Sequence, residues 1–158
     1  MSTQPTPEPS ALNWKQVVEL ARTGNTPPPR RVEKSDSEWR KLLSDEQYHV
    51  ARSKGTERPF SSQMCALFDP GRYHCVCCDT PLFDSTSKFD SGTGWPSFDQ
   101  AVEGAVATTV DRSHGMTRIE VHCSRCGGHL GHLFDDGPTS TGQRYCMNGV
   151  AMTFEPKA

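Results

Sequence analysis

The sequence predicts a mainly antiparallel β domain behind a small helical N-terminal part, and three observations carry that prediction. After Gly55 the chain breaks into short apolar runs separated by turn signals such as Asp69-Pro70-Gly71, the pattern of strands rather than of long helices. Only 34% of the residues are hydrophobic, while 13 glycines and 12 prolines demand many turns, so the core is modest and the chain bends often. Two CxxC pairs, Cys75 with Cys78 and Cys123 with Cys126, stand far enough apart for the intervening chain to fold back and join them. At 158 residues the chain fits one domain.

Taken in order, residues 1–10 are polar and Pro-rich, the composition of a disordered arm. Leu12, Trp14, Val17, Val18 and Ala21 recur at helical spacing, and the pattern ends near Gly24. Residues 25–31, Asn-Thr-Pro-Pro-Pro-Arg-Arg, stop that helix and act as a stiff connector. Ser35 with Glu38 is a capping box for a second short helix carrying Trp39, Leu42 and Leu43, and Ser44 with Gln47 caps a third. The candidate strands are 73–77, 106–111, 116–122 and 144–154. Residues 1–34 thus read as an N-terminal extension with a short helix, and residues 35–158 as the domain that carries the chemistry.

The CxxC pairs point to a metal. Two intervening residues let both thiolates of a knuckle face one ion, and two knuckles make a tetrahedral four-thiolate zinc site at roughly 2.3 Å. Four ligands leave no open coordination position, so such a zinc is structural, and a zinc hydrolase or deaminase is excluded. Two disulfides, four buried thiols or a redox-active CxxC are the competing readings, and a reducing compartment and the doubled motif weigh against them.

A formal charge of −2 and the lack of a long basic run argue against nucleic acid as a partner. The N-terminus has no basic n-region or apolar h-region, and nothing approaches the roughly 18 consecutive apolar residues of a membrane span. The expectation is a cytoplasmic protein, neither exported nor membrane-spanning.

Catalytic residue types gather near the C-terminus. The run from Gly127 reads Gly-Gly-His-Leu-Gly-His-Leu-Phe-Asp-Asp-Gly-Pro, and Arg-Tyr-Cys-Met-Asn-Gly follows shortly after. On a strand, Arg144, Cys146 and Asn148 have period two and share one face, which gives a thiol a cation and an amide as neighbours. That environment favours a low-pKa nucleophilic thiolate, and His129 and His132 can move the proton. Taken singly, Cys146 reads as a small core residue and the histidines as core residues or ligands. Four cysteines already complete the metal shell, which leaves the histidines without that role. Cys77, inside the first knuckle, reads as a packing thiol.

These motifs resemble methionine sulfoxide reductase B, the family that reduces the R epimer of methionine sulfoxide. The resemblance covers roughly residues 36–155. It rests on Gly55-Thr56-Glu57 before Pro59-Phe60, Cys75-Val76-Cys77-Cys78 before Pro81-Leu82-Phe83, Lys-Phe-Asp-Ser-Gly-Thr-Gly-Trp-Pro-Ser-Phe at 88–98, Gly-Met-Thr-Arg-Ile-Glu-Val at 115–121, and the stretch from His129 to Asn148. It implies two antiparallel β sheets with peripheral N-terminal helices, a structural zinc held by Cys75, Cys78, Cys123 and Cys126 away from the active site, and thioredoxin as reductant. Oxidised proteins or peptides are the implied substrates, and a monomer is expected.

Carried over by residue, the resemblance makes Cys146 the nucleophile, which takes the sulfoxide oxygen as a sulfenic acid. It assigns His129, His132 and Asn148 to holding and protonating that oxygen, and Arg144 to favouring the thiolate. Trp95 becomes the wall for the substrate methyl group, with Phe134 and Asp136 beside it. Many family members carry a resolving cysteine just before Gly-Trp-Pro, where this chain has Thr93. Other members place that thiol nearer the N-terminus, and Cys65 is the candidate resolving cysteine here. Direct reduction of the sulfenic acid by an external thiol is the alternative.

Overall fold

The computed structural model describes residues 13–24 and 32–157, so the expected N-terminal arm and the 25–31 connector lie outside the described residues. Among the described residues three short helices come first: α1 (Trp14–Thr23), α2 (Asp36–Leu42) and α3 (Asp45–Ala51). Each opens on a reciprocal capping box, Asn13 with Gln16, Ser35 with Glu38 and Ser44 with Gln47, which satisfies backbone donors a short helix otherwise leaves bare. Val17, Ala21, Trp39 and Val50 turn inward and join the main core. No helix among the described residues is long and apolar enough to cross a membrane.

Nine strands follow among the described residues: β1 (Gly71–Cys75), β2 (Pro81–Asp84), β3 (Lys88–Phe89), β4 (Ser97–Phe98), β5 (Val106–Asp111), β6 (Arg118–Cys123), β7 (His129–Phe134), β8 (Arg144–Met147) and β9 (Met152–Pro156). They form two antiparallel sheets, a three-stranded one in the order β2-β1-β9 and a six-stranded one in the order β3-β4-β8-β7-β6-β5. The aromatic residues between them tie the sheets together. Tyr73 and Phe83 come from the smaller sheet, Phe98 and Tyr145 from the larger. Phe83 stacks on Phe98 at 4.3 Å between centroids, and Tyr73 meets Phe98 edge-on at 5.1 Å.

The larger sheet sorts its residues by face. Phe98, Tyr145, Leu133, Ile119 and Val110 are successive cross-strand partners and point toward the core side. One residue out of phase, Ser97, Cys146, His132, Glu120 and Thr109 are also successive partners, and they line the opposite face. The buried neighbours Tyr145 and Met147 therefore fix the outward direction of Cys146.

The expected strand 144–154 is two strands, not one. A turn at Gly149–Ala151 separates β8 from β9, and the chain leaves one sheet for the other. Asn148 anchors the break, accepting from the Glu57 backbone N–H at 2.9 Å and donating from Nδ2 to the Leu130 carbonyl at 3.0 Å. Of the other expected strands, 106–111 coincides with β5, 73–77 overlaps β1, and 116–122 overlaps β6. The chain at β2, β3, β4 and β7 carries no long β-branched run, and tertiary pairing makes those strands.

Candidate active site and metal centre

The two CxxC pairs sit on equivalent knuckles. Cys75 ends β1 and Cys123 ends β6, with Cys78 and Cys126 in the turns that follow. Asp79 N–H donates to the Cys75 carbonyl at 2.8 Å, and Gly127 N–H donates to the Cys123 carbonyl at 2.9 Å. Both turn residues have positive φ, 64° at Asp79 and 75° at Gly127, the conformation such a tight reversal requires. The four Sγ atoms lie within 4.8 Å of one another, and the pairs Cys75–Cys126 and Cys78–Cys123 are 3.6 Å apart.

A tetrahedron with metal–sulfur bonds of roughly 2.3 Å has edges of about 3.8 Å, so the donor set fits a four-thiolate metal ion. The thiols also fit one another poorly as neutral groups. Hydrogen bonds within the cluster, led by those involving Cys123, push Cys75 up and hold Cys78 and Cys126 down, and Cys126 in turn pushes Cys123 up. A cation removes that competition by taking all four as thiolates. Cys77 stays outside the set and packs against it.

Across the larger sheet, a hollow of about 140 Å³ is lined by Thr56, Trp95, Arg118, His132, Cys146 and Asn148, with Phe134 at its wall. Gly131 forms part of its floor. A Cβ there would overlap the Cys146 carbonyl oxygen, so only glycine lets β7 and β8 approach this closely.

Each histidine is held by a carboxylate. His132 lies directly across from Cys146, and its Nε2 is 2.7 Å from Asp111 Oδ2. The bond to His132 holds the Asp111 carboxyl well below the usual range. With Nε2–H donating to that carboxylate, Nδ1 is the nitrogen left for chemistry. His129 reaches Glu120 through Nδ1 at 2.8 Å, and the two imidazoles lie 5.5 Å apart. Residues three apart on a strand belong on opposite faces. A register shift between Val121 and His122 takes up one extra residue of β7 and brings His129 beside His132.

Burial pushes the Cys146 thiol up, opposed by the Arg144 charge and by a hydrogen bond from the Thr93 side chain. The sequence pointed to a low-pKa thiolate; in the folded chain desolvation is the larger effect. Arg144 is itself engaged, making paired hydrogen bonds to Asp136 at 2.8 and 3.1 Å while its guanidinium lies 4.6 Å over the Phe134 ring. Asp136 therefore touches Arg144 and does not line the hollow.

Of the residues singled out from sequence, Cys146, His132, Asn148, Trp95 and Phe134 come together at one hollow, with His129 and Arg144 beside them. Cys65 does not. It lies on a 3-10 turn, Gln63–Ala66, and lines a separate depression with Phe60, Phe68 and Asp90. The sequence reading missed Asp111, Glu120, Arg118 and Glu57. Period two on β5 and β6 places 109 and 111, and 118 and 120, on the chemical face, a signal visible once that face is extended across the sheet.

A SelR domain model matches residues 43–156 of the chain. The chain is 54% identical over 129 residues to a peptide methionine sulfoxide reductase MsrB of Pseudomonas putida (strain W619), covering 81% of this chain and 97% of that protein. It is 54% identical over 127 residues to the protein of the same name from Agrobacterium fabrum, covering 80% and 94%, and 52% identical over 132 residues to that of Variovorax paradoxus, covering 80% and 97%. Sequence match, paired sheets, four-cysteine cluster and the hollow at Cys146 agree, and the chain belongs to the methionine sulfoxide reductase B family.

Proposed function

We propose that the chain reduces methionine-R-sulfoxide in oxidised proteins and peptides to methionine, using Cys146 as nucleophile and a disulfide with Cys65 for recycling. The observation that carries this reading is the outward row of the larger sheet, where Cys146 faces His132 across one strand pair beneath Trp95 and Asn148. The 129-residue match to a protein named peptide methionine sulfoxide reductase supports the reaction class.

The substrate methyl group lies against the Trp95 indole, an apolar face suited to a sulfur-bound methyl. The sulfoxide oxygen points at His132 and Asn148. Nδ1 of His132, whose imidazole burial holds in the neutral form, takes the Cys146 thiol proton and passes it to the sulfoxide oxygen as Cys146 Sγ attacks the sulfoxide sulfur. The oxygen passes to Cys146 as a sulfenic acid and methionine leaves, so the cysteine is oxidised by two electrons and the substrate reduced by two. His129, held by Glu120, keeps its neighbour's surroundings polar and oriented. Arg144 lowers the cost of forming the thiolate in a buried site.

Recycling follows when the Cys65 thiol displaces hydroxide from the sulfenic sulfur, releasing water and forming a Cys65–Cys146 disulfide. Thioredoxin then reduces that disulfide by exchange. The Cys65 turn packs against the turn that follows Asn148, so a local loop movement brings the thiols to the Cα separation of about 4.4 to 6.8 Å a disulfide needs. Cys75, Cys78, Cys123 and Cys126 would hold one Zn²⁺, which supplies folding energy and no chemistry. Residues 35–158 form the catalytic domain, 1–34 an extension, and the enzyme works as a cytoplasmic monomer.

Separated sulfoxide epimers test the reading. One equivalent of the R epimer of a methionine sulfoxide peptide should be consumed in a single turnover with loss of two protein thiols. Equal consumption of the S epimer, or of neither, would overturn it.

A further inference from the structure

We propose that Glu57 is a positioning residue of the active site, fixing through one short segment both the methyl wall and the amide that faces the sulfoxide oxygen. The inference rests on the reductase reading above and deepens it.

Three parts of the molecule converge on this residue. Its backbone carbonyl accepts the Trp95 indole N–H at 3.0 Å. Its backbone N–H donates to Asn148 Oδ1 at 2.9 Å. Its carboxylate Oε1 accepts from the Val150 N–H at 2.9 Å, on the turn that carries the chain from β8 to β9. The residue before it, Thr56, lines the hollow with Trp95, Cys146 and Asn148.

The two backbone bonds set chemical directions. With Oδ1 accepting from Glu57 and one Nδ2 hydrogen on the Leu130 carbonyl, the Asn148 amide cannot flip without breaking both bonds. Its second Nδ2 hydrogen is the one left for the substrate oxygen. The indole N–H, tied at its far edge, fixes the angle of the ring face that meets the methyl group. Neither bond would hold its geometry on a loose segment, and the carboxylate is what pins that segment to the β8–β9 turn.

Glu57 is 5% exposed, and its Oε2 has no hydrogen-bond partner among the described residues. Burying a carboxylate costs stability, and burial pushes its pKa up, opposed by the backbone N–H groups of Val150 and Gly149 on the β8–β9 turn. A merely structural position would be filled more stably by an apolar residue or an amide with matched partners. The cost is intelligible if the position of the segment matters to the pocket.

The test compares Glu57→Ala, Glu57→Asp and Glu57→Gln in the full metal-loaded chain, with R-sulfoxides of methionine and ethionine peptides as substrates. Glu57→Gln keeps an acceptor at Oε1 and should keep the preference for methyl over ethyl. Glu57→Ala, and Glu57→Asp whose shorter side chain falls short of Val150, should raise KM for the methionine peptide by about tenfold or more and flatten the preference. In the same variants the Trp95 indole N–H, identified among the three Trp signals by its loss in Trp95→Phe, should exchange faster with solvent. Should Ala or Asp fail to fold, Gln against wild type still decides: loss of the methyl preference in Gln, with unchanged indole exchange, would overturn the proposal. Unchanged preference and unchanged exchange in folded Ala would also overturn it. Wild-type protein that reduces neither sulfoxide would defeat the reductase reading instead, while the indole exchange would still report on Glu57.

Discussion

At the ends of β1 and β6, four thiols stand within 4.8 Å of one another on two matching backbone knuckles, and their sulfurs face inward on a point. On β8 a single thiol stands alone on the outward face of a sheet, with a guanidinium, a hydroxyl and an imidazole as its polar neighbours. The same side chain serves two ends because its surroundings differ. In the cluster, thiol competes with thiol until a cation takes them all. On β8, burial disfavours the thiolate of the lone thiol, and the neighbours are placed to favour it. A closed shell confers stability and inertness; an open pocket leaves the sulfur reactive.

The sharpest way to break the comparison is to cross the two regions. Replacing Cys75 or Cys123 by serine should strip the metal and cost solubility, since a four-thiolate zinc contributes on the order of 10 kcal/mol to folding. Metal content and thermal unfolding check it, and metal-free protein with undiminished thermal stability would show that the cluster is not structural. Cys146→Ser should do the reverse. Reductase activity should vanish while metal content and melting temperature stay at wild-type values, and turnover near the wild-type rate would end the claim that Cys146 is the nucleophile.

The next effect is smaller because it removes a proton donor rather than the nucleophile. His132→Ala should slow the first turnover by about 10² to 10⁴. An unchanged single-turnover rate would assign the proton to another group. Cys65→Ser should leave that first turnover intact and depress repeated turnover with thioredoxin, because a thioredoxin dithiol acts on disulfides. A small dithiol should bypass the defect. Peptide mapping of the oxidised enzyme separates the cases, and a Cys146–Cys77 disulfide would move the resolving role away from Cys65.

These regions also differed in how plainly the sequence announced them. The cluster was legible because CxxC is a local code: ligand spacing, knuckle turn and closed shell all follow from residues close in the chain. The capping boxes at Ser35 and Ser44 were legible for the same reason. Cys146, Arg144 and Asn148 were found by period two, yet that argument extended one strand to 154 where the chain turns at Gly149 and crosses to the other sheet. Asn148 holds that turn through partners 91 and 18 residues away, which no local pattern encodes. Asp111 and Glu120 were missed because their histidines are reached only through strand pairing. The placement of His129 depends on a bulge that alternation alone cannot reveal.

The smallest effect concerns Thr93, which stands where many family members carry a resolving cysteine. Here its side chain makes a hydrogen bond that favours the Cys146 thiolate, against the burial that disfavours it, and the Arg144 charge is the larger of the favourable influences. Thr93→Val removes a donor and keeps the volume, so the Cys146 pKa should rise further and its alkylation should need a higher pH. A hydrogen bond contributes a net of about 1 kcal/mol, so alkylation at neutral pH should slow by about fivefold. Arg144→Leu should move the same limb in the same direction and by more. Peptide-resolved alkylation of the metal-loaded protein against pH measures both, with the four cluster thiols protected by the ion. If Thr93→Val instead speeds alkylation, the hydroxyl shields the thiol more than it stabilises the thiolate. A cluster thiol alkylated as fast as Cys146 would erase the contrast between the two sites.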